Sequence, residues 1–406
     1  MLRVALLGLL SASLAYGGEW RSLEAAARSI LGPGQGVYVE AADGSVLLAQ
    51  AAATPVHPAS VSKVPTTLAL LRKLGPDHRF ITTFAADGPI AGGTLEGDLW
   101  VQSGGDPYFV DENALLVVER LNEIGVQRVS GTLRTRGGLT FDWQSDADGA
   151  RLSQVMSGRA PAAAWTAVRG LAVGADAAPT TSLVAPEIQF ERAANLAPAG
   201  GADSRVERVL LVHRSQPLLT LLKGLNDYSN NIFKPLADAA GGAAEVQSLA
   251  RSVVPAAMQS EIVVTDGAGG DPGNRLSPRA AVKLLRALEQ ELAADNHALF
   301  DILPVAGIDQ GTLRQRLNAP DEAGRVVGKT GTFGDYGASA LIGAIATRDQ
   351  GTVYFAILNH GIAVPEARRR QDRFLRALLT RLPSVRWNYE PDERAAVARA
   401  EVLIPP

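Results

Sequence analysis

The last part of the chain reads strand, strand, strand, helix. Arg325–Lys329, Ala338–Ala346 and Thr352–Asn359 are runs of strand length, and Pro365–Leu379 follows with helical spacing. Strands this closely connected pair antiparallel, because a parallel pair needs a long crossover. Near the other end, Val37 to Gln50 reads as two strands about a turn at Asp43-Gly44. A helix follows from about Ser60 to Leu74, with Val64, Leu68 and Leu71 at helical spacing and Gly75-Pro76 as its stop. Further helical patterns lie at Pro217–Leu225, Asn231–Ala239, Ala243–Ala257 and Pro278–Leu292. The expected fold is α+β: an antiparallel sheet flanked by helices, built from both ends of the chain.

The middle breaks this pattern. Strands near Asp98–Gln102 and Val129–Arg134 and a helix near Asn113–Ile124 point to a mainly β inserted domain over residues 76–208. Its stretch from about 143 to 203 is rich in Ala, Gly and Pro and is expected to be irregular. The core domain then comprises 18–75 and 209–384, with 385–406 as a C-terminal tail. Met1-Leu2-Arg3 precedes an apolar run from Val4 to Tyr16, the form of a secretory signal over 1–17. Export to the periplasm or envelope of a bacterium is the expectation. The mature chain is expected to carry no transmembrane segment, since no later apolar run reaches about 20 residues.

Three short motifs carry chemistry. Ser60-Val61-Ser62-Lys63 places a hydroxyl and an amine on one side of a helix start. A serine is a weak nucleophile until a base stands beside it, and a lysine serves if burial or another cation keeps it neutral. Lys329-Thr330-Gly331-Thr332 ends a strand with a charge, two hydroxyls and a glycine, a set suited to holding a carboxylate. Ser229-Asn230-Asn231 is by itself only a polar loop.

Composition narrows the choice of base. There is no Cys, which excludes disulfides, thiolate metal sites and a Cys nucleophile. The five His are scattered and form no metal-binding pair, so no metal or other cofactor is expected. The net charge of −3 argues against a nucleic-acid partner. Only six of the 39 basic residues are Lys, yet two fall in these motifs.

The order S-x-x-K, S-x-N, K-T-G resembles the class C low-molecular-mass penicillin-binding proteins, the D-alanyl-D-alanine carboxypeptidase/endopeptidases. Similar flanks include Pro58–Phe80, Leu95–Pro107, Leu218–Asn231 and Leu303–Leu317, and the resemblance covers most of Trp20 to Leu382. It implies the serine β-lactamase/penicillin-binding-protein fold, split by an insertion. It implies that Ser60 attacks the bond between two D-alanines of a peptidoglycan stem peptide, and that Lys63 takes its proton. Ser229 and Asn231 would serve proton relay and ordering. Lys329, Thr330 and Thr332 would hold the terminal carboxylate beside Gly331. The backbone N–H groups of Ser60 and Thr332 would form the oxyanion hole. β-Lactams would acylate Ser60 as inhibitors.

Two departures stand out. Ser60 and Ser229 are 169 positions apart, several tens fewer than the family usually has, so the innermost part of the insertion reads as reduced. Pro272 stands where family members have an Arg that binds the diaminopimelate carboxylate, with Arg275 the nearest substitute. Two alternatives stay open: a β-lactamase or esterase on the same scaffold and, because of these departures, a catalytically weak wall-binding protein.

Overall fold

The computed structural model describes residues 22–172, 179–196, 208–228, 233–334, 337–392 and 396–405. The signal segment, Ser229 and Asn231 lie outside the described residues. The chain divides into two compact units, the first being Met1–Leu74 with Leu222–Pro391.

The first unit holds a five-stranded antiparallel sheet. Its order is Val326–Phe333, Ala338–Ala346, Thr352–Asn359, Gly36–Glu40, Val46–Gln50. Side chains alternate between faces along each strand. Val37, Leu341, Val353, Phe355 and Ile357 cluster with Phe374, Leu375 and Leu378 of the helix Val364–Arg381 and with Leu23 and Ala27. On the other face lies the helix Pro278–Ala294, whose Lys283 and Arg286 reach the buried Glu40 at 2.6 and 2.7 Å. Covered on both faces, the sheet buries all five residues of Gly36–Glu40 and the first eight of Ala338–Ala346. That explains apolar runs without alternation. The α+β expectation for this core holds.

Central to the same unit is the helix Lys63–Leu74, buried from Lys63 through Leu71. The expected helix start at Ser60 is instead a 3₁₀ turn, Ala59–Ser62, leading into it.

The second unit comprises Gly75–Leu221 and Asp392–Pro406. Its larger sheet has the order Asn195–Leu196, Leu133–Arg136, Leu99–Gln102, Ile81–Ala86, Arg208–Arg214, Glu401–Leu403. A smaller four-stranded sheet and the helix Asp111–Glu123 complete a core around Phe84, Leu99, Leu115, Val118 and Leu133. Trp100 and Trp165 are packing residues here, 3% and 5% exposed. Short helices Ala150–Gln154 and Ala162–Val168 occupy part of the stretch expected to be irregular.

Two boundaries differ from the sequence reading. Arg208–Arg214, expected to begin the returning core segment, pairs antiparallel with Ile81–Ala86. The expected tail is ordered structure: Val402 is buried, and Glu401–Leu403 pairs with Arg208–Arg214. Three residues opposite an existing edge satisfy that edge's backbone groups. Such long-range pairing leaves almost no local periodicity to read.

Candidate active site

Ser60 and Lys63 meet through the turn that carries them. A 3₁₀ turn has three residues per turn, so positions i and i+3 eclipse. Lys63 Nζ donates to Ser60 Oγ at 2.9 Å. It also donates to the carbonyl of Ala268 at 2.6 Å and stands 5.4 Å over the Phe233 ring. Lys63 has no exposed surface. Burial pulls its ammonium down to about 8, against the opposing charge of Asp266.

The edge strand Val326–Phe333 brings the second lysine, Lys329, also without exposed surface. Burial first, then the charge of Lys63, pushes Lys329 well below the usual lysine range, while Asp227 opposes. Register separates the motif's side chains. Lys329 lies opposite Ile342, whereas Thr330 and Thr332 lie opposite Leu341 and Ser339 and so share the other face. Thr330 Oγ1 donates to Thr312 Oγ1 at 2.8 Å. Thr332 Oγ1 accepts from Arg368 Nη2 at 2.8 Å.

Gly331 permits the close approach of this strand to the serine turn. A Cβ there would stand 2.6 Å from the Pro58 carbonyl and 3.1 Å from the Ser60 nitrogen. Gly269 does the same from the opposite loop. A Cβ at that position would stand 2.0 Å from the Ala59 carbonyl, and its φ of +87° suits only glycine.

Asp266 builds the loop that carries Gly269. Its carboxylate accepts from the backbone N–H groups of Gly269 at 2.8 Å, Gly270 at 2.7 Å and Asp271 at 2.9 Å. Burial raises its pKa, but these bonds and that from Asn274 overcome burial and hold it below the usual range. The loop therefore keeps a shape of its own despite Pro272. Arg275 donates to the carbonyls of Pro272 and Asn274, both at 2.7 Å, tying its guanidinium to its own loop.

Sequence reasoning missed four residues. Asp227 is pushed up to about 7 by burial, against Lys223 and Lys329. Asp266 and Gly269 lie in the loop where Pro272 departs from the family pattern. Arg368 sits in the run Arg368-Arg369-Arg370, where nothing in the spacing singles out one residue. Arg369 and Arg370 do pair with Glu366, each at 2.7 Å, but Arg368 turns to Thr332. Ser229 and Asn231 lie outside the described residues. Asp227 and Phe233, the nearest residues on either side whose side chains are described, act on Lys329 and Lys63 respectively.

A family model, the D-Ala-D-Ala carboxypeptidase 3 (S13) family, matches residues 24–150 and 155–381. The chain belongs to the S13 family. It is therefore a peptidase of the serine hydrolase type, and both lysine motifs lie inside the matched S13 segments. Solved structures share the fold. The penicillin-G-acylated predatory endopeptidase Bd3459 of Bdellovibrio bacteriovorus, in complex with immunity protein Bd3460, is 22% identical with a TM-score of 0.76. The match covers 91% of this chain and 99% of that one. A second predatory endopeptidase of that organism, Bd0816, is 27% identical with a TM-score of 0.67 over 85% of this chain and 90% of that one. Penicillin binding protein 4 of Haemophilus influenzae is 19% identical with a TM-score of 0.60 over 90% of this chain and 99% of that one. Among the described residues no helix is long and apolar enough to cross a membrane.

Proposed function

We propose that this S13 peptidase hydrolyses the D-Ala-D-Ala bond of peptidoglycan stem peptides through an acyl-enzyme on Ser60. The observation that carries this is the 2.9 Å contact between Ser60 Oγ and the fully buried Lys63 amine. With Lys63 lowered to about 8, about a tenth of it is neutral at pH 7. An unshifted lysine would leave only a few molecules in ten thousand neutral, roughly. The neutral amine accepts the Ser60 proton as Oγ bonds to the scissile carbonyl carbon. The resulting oxyanion is taken up by the backbone N–H groups of Ser60 and Thr332. The C–N bond then breaks, with the proton relayed through Ser229 to the departing D-alanine amine and Asn231 ordering the substrate. Water releases the acyl group.

Lys329 meets the terminal carboxylate; the Thr330 and Thr332 hydroxyls, which the motif offers as helpers, share the other face of the strand, with Thr330 on Thr312 and Thr332 on Arg368. A β-lactam fits the same steps but keeps its leaving group tethered. Pro272 cannot pair with a carboxylate, and Arg275 is occupied by its own loop. Selection for a free diaminopimelate end is therefore weak. A strong preference for that end, unaffected by Arg275→Ala, would defeat this point. Such a substrate also requires export, so N-terminal sequencing of the secreted protein should begin near Gly18.

Labelling with a fluorescent penicillin tests the main reading. Wild type should label stoichiometrically and Ser60→Ala should not. Label retained without Ser60 would overturn the nucleophile, and an unlabelled wild type would favour the catalytically weak alternative.

A further inference from the structure

We propose that His57 is a positioning residue: its neutral ring, protonated on Nε2, holds the backbone just before Ser60 and so aims the nucleophile. The inference rests on Ser60 being that nucleophile. His57 is 8% exposed, and both ring nitrogens face backbone groups. Nδ1 lies 3.2 Å from the backbone nitrogen of Ala59. Nε2 lies 3.0 Å from the carbonyl of Asp271.

A backbone N–H can only donate and a carbonyl can only accept. One protonation state satisfies both contacts: a lone pair on Nδ1 and a hydrogen on Nε2. A second proton would set two N–H groups against each other at Ala59.

Ala59 needs such a hold. Its φ is +49°, the left-handed region that residues with a Cβ rarely adopt, and the next residue is Ser60. The ring is itself fixed. It stacks on Phe333, at the end of the Lys329 strand, with centroids 4.4 Å apart. Just before it, Val56 exchanges both backbone bonds with Leu276, at 3.1 and 3.0 Å. His57 thus joins the serine turn, the lysine strand and the Asp266 loop.

The charged groups acting on the ring come from that loop. Arg275 disfavours protonation, while Asp266 and Asp271 favour it. Burial is the largest influence and holds His57 below its ordinary 6.5. The sign follows. Above 6.5 the ring is neutral and the hold intact; it is lost as pH falls through the lowered value.

Penicillin acylation rates between pH 5 and 9 test this in wild type, His57→Ala and His57→Asn. Asn places an acceptor near the position of Nδ1 but does not titrate. In wild type the rate should fall about tenfold per pH unit below the Lys63 transition, and about a hundredfold per unit once His57 also protonates. His57→Ala should acylate on the order of 10²-fold more slowly at pH 8. His57→Asn should recover most of that loss and show only the tenfold slope. Equal rates in all three, no recovery in Asn, or the steeper slope surviving in Asn would overturn the proposal. Nitrogen chemical shifts of ¹⁵N-histidine protein give a readout independent of activity. They should show His57 neutral and protonated on Nε2 at pH 7, and the other tautomer or a cation would refute it. An unlabelled wild type would count against Ser60, and the shifts alone would then decide His57.

Discussion

Lys63 and Lys329 are both fully buried, and the charge of Lys63 is, after burial itself, what depresses Lys329. The motifs alone leave open whether burial or another cation keeps Lys63 neutral. In the folded protein Lys63 is lowered to about 8 by its own burial, while Asp266 opposes. The shift of Lys63 therefore rests on its burial, which a change at Lys329 leaves largely in place.

Lys329→Met removes the charge and keeps most of the volume. Acylation by a neutral ester needs Lys63 unprotonated, so its rate rises with pH through about 8 and is lost below. The variant should keep that midpoint. Acylation by penicillin, which carries a carboxylate, should fall by about 2 kcal/mol or more, roughly 30-fold. A midpoint displaced upward would show that Lys329 sets the Lys63 pKa after all.

Gly331→Ala should separate the lysine strand from the serine turn. The new methyl meets the Pro58 carbonyl and the Ser60 nitrogen, both backbone atoms that cannot swing aside. A displacement near 1 Å at the reacting atoms lowers acylation on the order of 10²-fold. Labelling rate and melting temperature, measured together, check it: the rate should drop far more than the stability. An unchanged rate would mean the strand has room to spare.

Arg368 adds an exposed cation beside Thr332 Oγ1. For a D-Ala-terminated peptide, Arg368→Ala should raise KM about two- to fivefold at low salt and leave kcat nearly unchanged. That difference should shrink as salt screens the charge. A KM effect equally large for a neutral ester would assign Arg368 to packing instead.

Glu40 is fully buried against Lys283, Arg286 and the Tyr38 hydroxyl. Removing one member of such a cluster strands the others. Glu40→Ala should destabilise the first unit by about 3–5 kcal/mol. Guanidinium unfolding followed through Trp387 fluorescence measures this, and a loss below about 1 kcal/mol would show that water reaches the two cations.

The antiparallel sheet and its helices were legible because apolar period and turn residues are local properties of the chain. So were Ser60 with Lys63, three positions apart, and the strand bearing Lys329. Those spacings determined which side chains could meet. Tertiary structure decided their chemical state, because a lysine's pKa depends on what surrounds it. It also turned Arg368 toward Thr332 while its neighbours paired with Glu366, a choice of direction that no triplet of identical residues encodes. His57, Asp227 and Gly269 joined the site only on folding, since their partners lie far along the chain. The final strand, Glu401–Leu403, gained its identity the same way, from an edge nearly 190 residues earlier that it completes.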